Sequence, residues 1–389
     1  MLDRRLWRDF VAVTFSVALL GLGLGSTFPL TALMLTARGY GPDVVGWMAA
    51  ATALGGVAGT FASPIATVRL GRRNVMLGCL ALSSVSVMLL QYVTALEGWF
   101  ALRCLFGLAV APLFVLGESW INTLPVEAVR GRVVAMYTTT FTSFQVLGPA
   151  LTHWVSGDPD SAFLICGAVF LLGAPGLMLA RDDDAHLAQT KGAKASHNKT
   201  QIASWLGIMR IAPVIIAGTA FFAVFDNLVL SFLPLFALDH GFSQSRALAA
   251  ASVVLAGDAT LQFAAGWLAD RYGRSRIHFL CGVAVCLMLP LLPLMVNIPI
   301  GWEIYLYLLG GVAGAIYTLS MVASGQYFSG VALVRASGLI GLTWSVSSSA
   351  GPAITGALMQ KYGSATMVAV LWGLATVFVF IARSALRVK

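Results

Sequence analysis

The sequence predicts an all-α polytopic membrane protein whose twelve transmembrane helices form two related halves of six. First, 58% of its 389 residues are hydrophobic and only 10% are charged, against about 25% charged residues in soluble domains. Second, the apolar residues fall into twelve continuous stretches, a pattern that favours helices over the alternating strands of a barrel. Third, glycine, proline, tryptophan and arginine positions of the first half recur in the second.

Each of the twelve stretches is long enough to cross a hydrocarbon core, which needs about 20 apolar residues per helix. The first stretch follows three arginines but is too long for a secretion signal, so we expect it to be a spanning helix. The predicted spans are 10–36, 44–68, 74–95, 98–123, 131–155, 161–180, 207–237, 247–269, 276–297, 302–328, 335–358 and 364–386.

The basic residues predict how these spans are oriented. With both termini in the cytoplasm, 20 of the 24 Lys and Arg lie in cytoplasmic segments, all except Arg38, Arg103, Arg246 and Lys361. This imbalance follows the positive-inside rule and indicates a bacterial-type cytoplasmic (inner) membrane. The net charge of +8 therefore reports topology and contact with anionic lipid headgroups, and it does not indicate a nucleic-acid partner.

A polar segment interrupts the apolar pattern after the sixth span. It begins at Arg181 with an Asp run and continues with scattered Lys to about residue 204, as solvated linkers do. We therefore predict an N-terminal six-helix bundle (1–180), a cytoplasmic central loop (181–206) and a C-terminal six-helix bundle (207–389).

The two halves repeat each other at a slowly drifting offset. Three glycine pairs are separated by 202 residues and four further features by 203. The pairs are Gly39 with Gly241, Gly55 with Gly257, Gly71 with Gly273, Trp99 with Trp302, Gly107 with Gly310, Arg132 with Arg335, and Gly148-Pro149 with Gly351-Pro352. Such a repeat predicts two bundles related by an axis along the membrane normal, which can rock around a central site.

A basic loop motif follows the second helix of each half. The second-half copy comprises Gly266, Leu268, Asp270, Arg271, Gly273 and Arg274; the first-half copy keeps Arg69, Gly71, Arg72 and Arg73 but has Pro64 and Val68 where the second has glycine and aspartate. With six plus six helices and a long central loop, this motif resembles that of the major facilitator superfamily. The resemblance implies a transporter that works by alternating access.

Two further motifs refine the resemblance. Arg103 and Gly107 match the fourth-helix pattern R-x-x-x-G of the family, whose arginine is implicated in the proton coupling of antiporters. Gly148 and Pro149 match the antiporter motif of the fifth helix, although Thr152 and His153 replace its closing Gly-Gly. The runs GESW and RGRVVAMY are similar to sequences of the YcaD-like branch of the superfamily. We therefore expect proton-coupled export of a small organic solute, with proton symport or facilitated uptake, or a non-transporting sensor, as alternatives.

Charged residues inside membrane helices are costly and are functional candidates by default. Arg103 can attract an anion or act on a nearby carboxylate; alternatively it snorkels to the outer interface or pairs structurally with a carbonyl. Glu118 lies on the same helix about 22 Å nearer the cytoplasm. It can carry a proton or, equally, serve as a partner of Arg72 or Arg73 in a conformational latch.

Two aspartates complete the set of candidates. Asp226, next to Asn227 in the middle of the seventh span, is our first choice for the protonation site; the alternative is a neutral carboxyl bonded to a neighbouring helix. Asp258 in the eighth span is a second carrier or an interdomain tie to Ser143 and Gln145 of the fifth, and we favour the tie. By helix identity alone, the weaker cavity candidates are Trp120, Tyr317, Gln326 and Trp344, and interfacial His153 is weaker still.

The loop motif also predicts a gate. In the family the loop aspartate caps a helix of the opposite half and stabilises the outward-facing state. Asp270 can do so near Arg130 and Arg132, whereas Val68 cannot do so near Arg335.

Motifs of enzymes, nucleotide sites and metal sites do not occur in the sequence, so we expect a non-enzyme without cofactor or metal. The expected partners are a small-molecule substrate, protons and lipids, and we expect a monomer. We interpret the five cysteines as apolar packing residues: Cys79, Cys104, Cys166, Cys281 and Cys286.

Overall fold

A computed structural model of the protein describes residues 4–123, 130–180, 207, 209–210, 213–328 and 330–387. The predicted central loop (181–206) lies outside the described residues. The N-terminal bundle comprises α1 (Arg4–Ala37), α2 (Pro42–Leu70), α3 (Arg72–Leu89), α4 (Leu96–Thr123), α5 (Arg130–Val146), α6 (Gly148–Val155), α7 (Ala162–Leu171) and α8 (Ala174–Leu179). The C-terminal bundle comprises α9 (Pro213–Ser231), α10 (Leu233–Asp239), α11 (Gln244–Tyr272), α12 (Arg274–Met288), α13 (Leu292–Met295), α14 (Pro299–Tyr327), α15 (Gly330–Tyr362) and α16 (Thr366–Arg387).

The all-α membrane fold that the sequence predicts is confirmed. Within the described ranges, nine helices are long and apolar enough to cross a membrane. The remaining predicted spans, the third, fifth and eleventh, correspond to α3, to the pair α5 and α6, and to α15. The chain is an integral membrane protein.

Four predicted spans are broken where the sequence led us to expect continuous helices. The fifth, sixth and seventh are each split into two helices, and the ninth contains a short 3-10 turn, Leu289–Leu291. A proline lies within the first two positions of each new segment. Proline has no N–H to donate and it clashes with the preceding turn, so it starts a helix more readily than it continues one.

The internal repeat is visible in matching close contacts within the two bundles. A Cβ atom on Gly55 of α2 would overlap the Cys104 carbonyl of α4, and a Cβ atom on Gly257 of α11 would overlap the Tyr307 carbonyl of α14. The loop glycines Gly71 and Gly273 also match, with φ of 80° and 97°. The same backbone approach and the same loop conformation, repeated about 202 residues apart, confirm the pseudo-symmetric arrangement.

The two bundles are packed together at one end and separated at the other. Between the bundles α2 packs on α15, while α5 and α6 pack on α11. We call the end at 39–46 and 239–246 the closed end, and the end at 69–73 and 270–274 the loop-motif end.

Burial along α2 and α11 shows where the bundles part. Nearly every residue from Val45 to Thr52 is buried, whereas beyond Gly55 only Gly59, Ser63 and Thr67 are. α11 shows the same change, since residues 247–258 are mostly buried and residues 263–272 mostly exposed. The space between the bundles therefore opens at the loop-motif end.

Candidate functional site between the bundles

The middle of α9 carries the first predicted protonation site. Asp226 is partly buried, and within the described part of the chain it has neither a hydrogen-bond partner nor an ion-pair partner. Its neighbour Asn227 is buried and donates its side-chain amide to the Ala223 carbonyl at 2.9 Å. Asn227 is therefore satisfied within its own helix, and Asp226 is left as the polar group with unused bonding capacity.

Three aromatic rings from three helices pack together one turn from Asp226. Phe222 precedes Asp226 by four residues and shares its face of α9. The ring of Tyr317 stacks on Phe222 with centroids 5.3 Å apart and an interplanar angle of 16°. Trp344 packs edge-on against Tyr317 at 5.2 Å and lies 6.0 Å from Phe222. We call Phe222, Tyr317 and Trp344 the aromatic platform.

The structure brings three of the predicted acids to the same neighbourhood. The carboxylates of Glu118, Asp226 and Asp258 all lie within electrostatic range of the Tyr317 hydroxyl. They come from α4, α9 and α11, so both bundles contribute negative charge. Glu118 is exposed, whereas Asp258 is only 7% exposed.

Asp258 has a partner that the sequence did not indicate. Its Oδ1 accepts a hydrogen bond of 2.6 Å from the Gln262 amide on the same helix. A Cβ atom on Gly314 of α14 would overlap this carboxylate, so the glycine provides the space for it. The interdomain tie that we expected, to Ser143 and Gln145, is thus replaced in this structure by a bond within the C-terminal bundle. Gln145 is itself buried, and its backbone carbonyl faces Gly25 of α1.

Arg103 is separated from the acids. Its side chain is only 1% exposed, and its guanidinium lies over the rings of Phe28 at 4.7 Å and Phe106 at 5.1 Å. Its Nε and Nη1 atoms lack hydrogen-bond partners among the described residues. The guanidinium is therefore buried against aromatic side chains of the N-terminal bundle.

The two loop motifs differ in what their charges contact. Asp270 pairs with Arg274, four residues on, at 2.8 Å, and 66% of its side chain is exposed. Arg72 of the first loop lies over the Trp120 ring of α4 at 4.2 Å. Val68, in place of an acid, is 77% exposed. The side chains of Arg130, Arg132 and Arg335, the expected cap positions, lie outside the described residues.

The two Gly-Pro pairs make different contacts. A Cβ atom on Gly148 would overlap Gly25, so α5 and α6 cross α1 closely there. Thr152, which replaces a family glycine, donates to the Ser26 carbonyl of α1 at 2.9 Å. In the second half, Gly351 packs on Val224 within the C-terminal bundle, and the carbonyl of Pro352 meets Gly46 of α2 across the interface. The second pair therefore lies at the contact between the bundles.

A polar cluster inside the C-terminal bundle was not predictable from the sequence. His278, 4% exposed, contacts the Ile316 carbonyl through Nε2 at 3.0 Å and the Ser320 hydroxyl at 3.2 Å. It lines a cavity of about 300 Å³ together with Arg274 and Gln326. Gln326 thus faces this cavity within one bundle. In the described part of the chain no three His, Cys, Asp or Glu side chains are grouped as metal ligands would be.

The model of one protein family matches almost the whole chain. The match to the Major Facilitator Superfamily covers residues 13–257 and, in a second alignment, 216–388. The chain belongs to the Major Facilitator Superfamily. It is therefore a membrane transporter.

Sequence relatives within the superfamily are distant but extend over most of the chain. An MFS-type transporter of Yersinia pseudotuberculosis is 24% identical over 338 residues, covering 86% of this chain and 84% of that protein. The MFS-type transporter YcaD of Escherichia fergusonii is 25% identical over 320 residues, covering 82% and 80%. The expected similarity to YcaD is confirmed.

Solved structures of superfamily members show the same fold. The nucleoside transporter NupG, as a D323A mutant, superposes with a TM-score of 0.78 at 14% identity and covers 98% of this chain and 99% of that one. The xylose transporter XylE from E. coli, in a partially occluded inward-open conformation, gives a TM-score of 0.72 at 14% identity, with coverage of 97% and 98%. At such identities the likeness concerns the fold alone.

Proposed function

We propose that this protein is a secondary active transporter that exports a small organic solute in exchange for protons. The observation that carries the proposal is Asp226, an acid in the middle of a membrane helix without a protein partner among the described residues. Such a carboxyl is neutralised by a proton or by a ligand, since an unpaired charge there is unfavourable by at least about 2.5 kcal/mol. If the proton and the solute replace each other at one carboxyl, the transport of one is coupled to the transport of the other.

Alternating access requires a closed end that can open at modest cost. Glycine and proline backbones of α2 and α15 meet there, and among the described residues two hydrogen bonds link α11 to the N-terminal bundle: Gln244 to Ser156 and Ser252 to the Val146 carbonyl, both 2.8 Å. Each such bond contributes about 0.5–1.5 kcal/mol. A contact of this strength supports rocking of two rigid bundles, joined by the loop at 181–206.

The distribution of basic residues supports an inner-membrane protein whose loop-motif end lies in the cytoplasm. The conformation described here is then the inward-facing one. In the proposed cycle, a proton enters Asp226 or Asp258 from outside, and solute binding on the inner side displaces it. Anionic lipids contact the basic loops, and the monomer is the working unit.

Proton symport is the second candidate. Thr152 interrupts the antiporter motif and ties α6 to α1, and one structural neighbour is a D-xylose-proton symporter. The direction of the pH gradient that drives solute accumulation distinguishes symport from antiport, because the two mechanisms require opposite gradients.

The test uses purified protein in proteoliposomes with compounds that a thermal-shift screen of metabolites and drugs selects. We expect an acidic lumen to drive accumulation of a selected compound, and Asp226→Asn to abolish the effect. Asp239→Asn, the same change at the exposed end of α10, is the matched control. Unchanged pH-driven flux in Asp226→Asn would exclude this residue as the proton carrier. Flux that does not respond to a pH gradient would indicate a passive transporter. Binding of a compound without flux would indicate a sensor.

A further inference from the structure

We infer that the solute is an organic cation with an aromatic or bulky apolar group, bound between Asp226 and the aromatic platform. The inference rests on the proposed function, because it names the class of compound that the transporter carries. Its basis is the placement of charges and rings between the bundles.

The aromatic platform offers a surface for an apolar cation. Phe222 is 6% exposed and supports the other two rings from behind, while Tyr317 and Trp344 are only partly buried. The π faces of tyrosine and tryptophan attract cations, most strongly where water is excluded. A flat or bulky cation lying on this surface would have its charge within one helical turn of Asp226.

The hydroxyl of Ser348 adds a second unsatisfied polar group to the same region. Ser348 follows Trp344 by four residues and shares its face of α15. It is 5% exposed, and its hydroxyl lacks a hydrogen-bond partner in the described part of the chain. Buried hydroxyls are ordinarily hydrogen-bonded, so this one is available to a ligand or its bound water.

The sign of the site is negative. Asp226, Asp258 and Glu118 lie near Tyr317, whereas the guanidinium of Arg103 lies over the rings of Phe28 and Phe106. An anionic solute would meet repulsion from the carboxylates of Asp226 and Asp258, and a cation would reduce the repulsion between them. The competing pulls of Arg103 and Asp226, which the sequence leaves open, are thus resolved by the burial of Arg103.

Neutral polyhydroxylated solutes fit this site less well. Recognition of such a solute needs several free amide or hydroxyl groups around it. Among the described residues, the carboxamides that neighbour the two aspartates on their own helices are already engaged, Asn227 with the Ala223 carbonyl and Gln262 with Asp258. Charge and aromatic surface, not free carboxamides, are what the site presents.

The test compares two ions of the same shape and opposite charge, tetraphenylphosphonium and tetraphenylborate. Equilibrium dialysis against the protein in neutral-lipid nanodiscs, with empty nanodiscs subtracted, measures binding to the protein itself. We expect a preference of about tenfold or more for the phosphonium, the ratio expected from one desolvated cation–π contact and one carboxylate. Binding of phosphonium should weaken as the pH is lowered, because a protonated carboxyl loses its charge.

Matched variants locate the binding. Asp226→Asn should weaken phosphonium binding about tenfold, and Trp344→Leu about fivefold. Asp239→Asn and Trp154→Leu, at exposed positions, should leave it unchanged. Replacing Asp226 leaves no partner unpaired among the described residues, and the pH series on the wild-type protein needs no variant at all.

Equal binding of the two ions, a preference for borate, binding of neither ion, or full binding by Asp226→Asn would overturn the inference. Its failure is distinguishable from failure of the proposed function. Phosphonium binding at Asp226 without flux would refute transport and leave the cation site standing. Conversely, Asp226-dependent flux of an uncharged compound would refute the cation site and leave transport standing.

Discussion

Replacing Gly314 with alanine should destabilise the C-terminal bundle through Asp258. The added methyl group would overlap the carboxylate that accepts the Gln262 amide. Either Asp258 turns away and loses a bond to a carboxyl group, about 1.5–3 kcal/mol, or α14 moves off α11, about 1–3 kcal/mol for an overpacked site. Since one of these suffices, we expect the free energy of unfolding to fall by about 2 kcal/mol.

Unfolding by titration with SDS measures this change, with Gly373→Ala as the control. Gly373 is also helical, but a Cβ atom there meets open space, so its replacement should change stability by less than about 1 kcal/mol. Combining Gly314→Ala with Asp258→Ala removes the overlapping carboxylate and should restore about 1–2 kcal/mol relative to the sum of the single effects. Strictly additive single effects would refute the proposed contact.

Three further predictions follow from named contacts. Val68→Asp should raise the population of the state closed at the loop-motif end, relative to the open state, by about two- to fivefold, the effect of an acid at a helix N-terminus. Leu70→Asp should not change this ratio. Unchanged labelling of cysteines between the bundles in Val68→Asp would contradict the prediction. Arg103→Met should leave the free energy of unfolding unchanged or raise it by about 1 kcal/mol, because a buried charge is unfavourable by about 2.5–3.5 kcal/mol and a cation–π contact offsets about 1–2 kcal/mol of this. SDS unfolding measures the change. A loss above about 2 kcal/mol would show that the cation is better satisfied than its contacts indicate. Thr152→Val should lower the free energy of unfolding by about 1 kcal/mol through loss of the hydrogen bond to Ser26. Thr142→Val should not lower it, because among the described residues the Thr142 hydroxyl bonds only its own helix. Equal losses in the two variants would show that the bond between α6 and α1 does not stabilise the protein.

The candidate site was predictable in part. Asp226, Asp258 and Glu118 could be named from the sequence because an acid within an apolar run is costly and rare. Their convergence on Tyr317 could not be, since these residues belong to four helices far apart in the chain. The four-residue spacing of Phe222 from Asp226 is a sequence signal for their shared helix face. Gly314 carried none, because its role depends on how closely α14 approaches α11.

Local composition determined what each segment of this protein is. The apolar runs are long enough for a membrane and allow only helices there, because each backbone group must find its partner within the helix. The drifting repeat determined that there are two bundles, and the loop glycines determined the turns between their helices.

The tertiary structure decided what each charge can do. Arg103 and Asp226 are equally unusual in sequence, yet the packing of Phe28 and Phe106 encloses the first, and the second stays partly accessible between the bundles. Which end is closed was also decided there, by contacts of α2 with α15 and of α11 with α5 and α6. The physical reason is common to both: burial and pairing depend on neighbours from distant parts of the chain, and hydropathy along one segment does not contain them.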